Sequence, residues 1–180
     1  MNKKVNGHTT NTWINQQLQT LAEKDYKTFN ERIIPTGYKM LGIRMPVLKK
    51  LAKEIATNPE AEIYLQTAEY TTYDHILLYG LVLGQLKKTP IETIFRYLDP
   101  LILNYDNWAH VDTIIPALNV FNKYPDKFLT HFLLLNTHWG KFTNRVFVII
   151  LMDYFINETN IVMTLDHLSE VTLAHAYLNR

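Results

Sequence analysis

The sequence predicts an all-α protein whose helices pair and stack into a curved α-solenoid. Three observations carry that prediction. Apolar residues recur at helical spacing almost everywhere, no run alternates with period two for long enough to make a strand, and short turns marked by Pro or Asn join the helical segments. At 180 residues, 47 % hydrophobic and 12 % aromatic, the chain has enough apolar material for one packed domain over residues 1–180.

Trp13, Leu18, Leu21 and Tyr26 mark a first amphipathic helix, which Pro35-Thr36-Gly37 breaks. YKMLGIRMP then reads as a loop punctuated by Gly42 and Pro46, with Pro46 suited to the first turn of the next helix. That helix buries Leu48, Leu51, Ala52 and Ile55, exposes Lys49, Lys50 and Lys53, and ends at Asn58-Pro59. A short helix over 59–66 precedes TTYDHILLYGLVLGQLK, where Thr71 or Thr72 can cap a strongly apolar helix. Gly80 and Gly84, four apart on it, would let another helix approach closely. Further helices are predicted over 90–104, 107–124, 125–136, 141–157, 161–167 and from 169 onward. The pairs recur at roughly 35 to 40 residues, near the period of HEAT and armadillo repeats, although no clean self-similarity is visible. The last segment is still periodic at Arg180 and lacks a closing glycine or proline, so either the chain lacks its C-terminal helices or it ends in a naturally short last helix.

Charge and composition narrow the chemistry. With 18 basic and 17 acidic residues the net charge is +1, so a polyanion site would have to be built locally. The absence of cysteine excludes disulfides, thiolate metal sites and a cysteine nucleophile, and fits a cytoplasmic location. Neither apolar run, 76–86 or 146–156, reaches the roughly 20 residues of a membrane span, and the N-terminus has no apolar core of a signal peptide. The seven histidines show no metal-ligand spacing, and no metal is expected. No phosphate-cradling glycine loop, GxSxG or dinucleotide fingerprint occurs among the six glycines, so no cofactor is expected either.

Two sites stand out. In YDNWAHVD, residues 105–112, Trp108 and Asp112 are four apart on one helical face, and Tyr105 can fold over the same side. Asp112 is either an acid favoured by the helix dipole or a carboxylate held against an aromatic wall, able to stabilise a developing cation or orient a water. Trp108 is either core or a ligand platform. The second site is Arg145, which shares a helix face with Phe142, Val148, Ile149, Met152 and Ile156 and must find an anion. That anion is either a carboxylate, from Asp112, Asp106 or Asp153, or a phosphate gripped by the guanidinium fork.

Three segments resemble the bacterial DNA alkylation repair glycosylases of the AlkD type, which are built from HEAT-like repeats. YKMLGIRMPVLKKLAKEI (38–55) looks like that family's entry to its second helical pair, NWAHVDTIIP (107–116) like its Trp-x-x-x-Asp signature, and FTNRVFVIILMDYFI (142–156) like its Trp-x-x-Arg helix. The resemblance implies a monomeric, cofactor-free hydrolase that excises cationic N3- or N7-alkylated purines from double-stranded DNA. Asp112 and Trp108 would be catalytic, and Arg145 would hold the DNA backbone, with Tyr105, Phe142, Arg44, Lys49 and Lys141 as further DNA contacts. Phe142 stands where the family has tryptophan, and a later helix bearing another site tryptophan is not reached by AHAYLNR (174–180). Two alternatives stay open: a non-catalytic HEAT-repeat DNA-binding protein, and a helical-repeat scaffold for a protein partner.

Overall fold

A computed structural model describes residues 7–135 and 142–170 of the chain. Among them lie ten α-helices and no strand: α1 (Gly7–Leu21), α2 (Lys24–Glu31), α3 (Met45–Ala56), α4 (Ala61–Thr67), α5 (Tyr73–Gln85), α6 (Ile91–Ile102), α7 (Trp108–Ile114), α8 (Pro125–Leu135), α9 (Thr143–Tyr154) and α10 (Ile161–Glu170). Two 3-10 turns, Ile115–Ala117 and Asn119–Asn122, join α7 to α8. Lys141 and residues 171–180, with all but the first two residues of the expected final helix, lie outside the described residues.

The expected first helix is two. Its break at residues 22–23 is held by a long-range bond, Glu23 N–H donating to Gly42 C=O at 3.1 Å. Gly42 adopts φ +83°, and a Cβ there would sit 2.5 Å from Lys27 N and 2.6 Å from Glu23 O, so only glycine fits this turn. The buried face of α1 is Ile14 and Leu18, whereas Trp13 is 36 % exposed. Trp13 therefore falls off the core stripe that the sequence suggested.

On α3 the expected split holds, with Leu48, Leu51, Ala52 and Ile55 buried and the three lysines exposed, and Pro46 in its first turn. Packed against it is α5, buried along nearly its whole length because it carries no polar face between Tyr73 and Gly84. Thr72 caps α5, its side chain accepting from His75 N–H. Asp74, almost fully buried, accepts from Leu41 N–H at 2.6 Å and Ile43 N–H at 3.0 Å. Burial pushes its carboxyl above the usual range, and those two amides pull the other way. This carboxylate fastens the 40–43 loop to the start of α5.

The next layer is α7. The space left by Gly80 and Gly84 is filled by the Ile114 side chain and the Ala117 carbonyl, so a Cβ on Gly80 would lie 2.5 Å from Ile114 Cγ2. A single helix over 107–124 does not form. Its α-helical part stops at Ile114, Pro116 sits in a 3-10 turn, and Leu118 turns away at ψ 75°. Pro100, by contrast, is accommodated in the last turn of α6. Helices α3, α5, α7 and α9 pack in succession, α1 lies on α4, and α10 lies on α9. The proposed break between 167 and 169 is absent, since α10 runs through both positions.

Candidate functional site

Helix α7 begins with a side-chain cap. Asn107 is extended at φ −151°, and its Oδ1 accepts from His110 N–H at 3.1 Å, which frees Trp108 to occupy the first helical position. From there the 100° step buries Val111, Ile114 and Ile115 and leaves Trp108 and Asp112 half-buried along the edge of the apolar face. The Trp108 ring packs on the core without being enclosed by it.

Arg145 arrives from α9, 33 positions later. Its Nε donates to Asp112 Oδ1 at 2.7 Å and its Nη2 donates to Asp112 Oδ2 at 2.6 Å, a two-toothed ion pair. The Arg145 side chain is 17 % exposed and that of Asp112 is 32 %, so the pair opens to solvent mainly on the carboxylate side. Of the three carboxylates considered as its partner, Asp112 is the one engaged. Asp153 stands nearby, its carboxyl pushed up by burial first and by the negative charge of Asp112 second.

The apolar stripe expected beside Arg145 is not the core face of α9. Val146, Phe147, Ile150 and Leu151 are buried, while Met152 and Ile156 are 50 % and 56 % exposed. This helix is apolar around most of its circumference, so periodicity could not say which stripe faces inward.

The other expected contacts divide by burial. Lys49 is exposed on α3. Arg44 is exposed but engaged, its Nε donating to both Glu23 oxygens at 2.9 and 3.1 Å while its guanidinium lies 4.9 Å from the centre of the Tyr26 ring. Tyr105 and Phe142 are each only 6 % exposed, and in this conformation both rings pack inside the protein. The Tyr105 ring lies 5.8 Å from that of His110, and burial holds its hydroxyl well above the ordinary tyrosine range.

Behind α7, sequence reasoning passed over His110 and named Asp106 only as a possible partner of Arg145. His110 is fully buried and stacks on Tyr73 at 4.8 Å, and burial pushes its imidazole down to about 4. Asp106 holds the loop after α2, accepting from Thr36 Oγ1 at 2.8 and 3.0 Å and from Gly37 N–H at 2.6 Å. The one sequence signal for either was their position flanking the Asn107 cap. Among the described residues no cluster of three or more His, Asp or Glu could hold a metal, and no helix is long and apolar enough to cross a membrane.

A family profile described as DNA alkylation repair enzyme matches residues 14–173. No curated protein and no solved structure matches the chain.

Proposed function

Because the chain belongs to the DNA alkylation repair enzyme family, we propose that it is a DNA glycosylase removing cationic N3- or N7-alkylated purines from duplex DNA. The observation that carries this reading is the convergence of two separate motif segments: Asp112, one turn beyond Trp108, and Arg145 meet in one partly buried, two-toothed ion pair. The all-helical fold is compatible with the HEAT-like repeats that this reading assumes.

The chemistry asks little of an acid. An N-alkylated purine is already a cation, so the C1′–N bond breaks with its electron pair going to the base, which leaves neutral. Positive charge then develops on C1′ and the ring oxygen. Asp112, ionised and fixed beside that charge, stabilises it by preorganised electrostatics. A water attacks C1′, forms the new C–O bond and loses its proton to Asp112 or to solvent. The products are an abasic sugar and a free base. Trp108 offers an aromatic wall for the deoxyribose or the cationic nucleotide, a contact of roughly 0.5–2 kcal/mol. Arg145 keeps the carboxylate oriented and carries a guanidinium that fits a backbone phosphate.

The test is release of free alkylated purine from methylated duplex DNA. The Asp112→Asn variant should lose release by about a hundredfold or more while keeping most of its DNA affinity. Wild-type protein that binds the duplex but frees no base would replace the enzyme with a non-catalytic binder.

A further inference from the structure

The Asp106 carboxylate makes contacts that helix capping does not explain. Asn107, not Asp106, is the cap residue of α7. Asp106 instead accepts from both donors of a loop 69 and 70 positions earlier, Gly37 N–H at 2.6 Å and Thr36 Oγ1 at 2.8 Å. It also accepts from Asn107 Nδ2 at 2.6 Å, and the His110 ring nitrogen Nδ1 lies 3.5 Å away. The loop also reaches the turn before α7 and the helix itself, since Tyr38 Oη donates to Asn104 Oδ1 at 3.3 Å, just past the end of α6, and the Tyr38 ring lies edge-on to His110 at 6.3 Å.

These contacts complete a pattern. Asp112 ties α7 to the third motif segment through Arg145, and Asp106 ties its start to the residues that enter the first. A carboxylate accepting three hydrogen bonds over so short a reach leaves the attached backbone little room to rotate. The residues one and five positions further along α7 from the Asn107 cap are Trp108 and Asp112.

We infer that Asp106 is a positioning residue: by locking the 36–38 loop onto the start of α7, it sets the angle at which Trp108 and Asp112 are presented to the substrate. This rests on the reading of α7 as the site helix. An error of about 1 Å in such a placement lowers a reaction rate by about a hundredfold without removing any reacting group.

Two readouts separate this role from general stability. The first uses protein labelled with 5-fluorotryptophan, in which the Trp108 resonance is the one missing from Trp108→Phe. Asp106→Ala and Thr36→Val should each shift or broaden that resonance without DNA, and the double variant should add nothing to Asp106→Ala, since both remove one coupled contact. The second is single-turnover base release at saturating methylated duplex, where Asp106→Ala should slow release at least about tenfold while Kd changes less than about threefold. An unmoved Trp108 resonance in a variant with native circular dichroism overturns the inference. So does a loss that appears in Kd and melting temperature but not in the rate at saturation. Thr36→Val, which removes a single hydroxyl, decides the fluorine measurement if Asp106→Ala does not fold. Should the wild type free no base, the glycosylase reading fails, and the fluorine measurement still decides the role of Asp106.

Discussion

A guanidinium and a carboxylate that share two hydrogen bonds at 2.6 and 2.7 Å, each shielded from most of the solvent, hold one another in a single orientation. In the role proposed for Asp112 this matters more than the modest net energy of such a pair, because an electrostatic catalyst must not have to reorganise as charge appears. His110 is the opposite case, a titratable ring kept neutral. Burial lowers its pKa from 6.5 to about 4, so between those values the unfolded chain binds a proton that the folded one refuses. Stability should therefore be full above about pH 6.5 and fall as pH drops toward 4, by something on the order of 2–3 kcal/mol from this group. Melting temperatures from pH 7.5 to 4.5 check it: His110→Gln, less stable at neutral pH, should lose less over the interval, and a parallel fall in both proteins would remove His110 as the cause. Of these residues, Trp108, Asp112 and Arg145 were legible because their spacing and their odd polarity announced them. Asp106 and His110 were not, since the groups that define them, Thr36 and Tyr73, lie 70 and 37 positions away.

Helix α7 shows how far element-level reading reaches. Its start was readable, because Asn followed by a 3.6-period apolar face is a capping pattern with a local cause. Its end was not read: the sequence predicted one helix over 107–124, straight through Pro116, and since Pro100 sits inside α6, proline alone does not decide. What distinguishes Pro116 is the seam beside it, where Gly84 meets the Ala117 carbonyl and leaves the chain no room to continue as an α-helix against α5. Gly84→Ala should then destabilise the protein by about 1–3 kcal/mol, because the added methyl meets backbone that cannot rotate away. A urea titration reads this as a lower midpoint at unchanged slope, and an unchanged midpoint would show that the seam has slack. The break between α1 and α2 had no local signal at all: Glu23 finds its partner at Gly42, and only the folded chain brings the two together.

Across the whole molecule, the near balance of charge, +1 from 18 basic and 17 acidic residues, means that a polyanion must be received by local faces. The exposed face of α3, with Lys49, Lys50 and Lys53, is one such face. If it meets phosphates, changing all three lysines to Gln should flatten the dependence of log K on log salt by about 2 to 3 in slope; an unchanged slope would place the duplex elsewhere. The all-helical class was legible throughout, because it rests on periodicity that every element repeats. Which charges are free for DNA was not, as Arg44 illustrates by turning toward Glu23. The Asp112–Arg145 pair has a consequence at this scale as well. On the proposed reading, a bare carboxylate where the duplex is to land would repel the backbone it is meant to serve, at a cost that rises as water is squeezed out. Paired with Arg145, the acid is electrically silent to an approaching strand at long range, and its negative end is felt only by a cation that comes within contact distance.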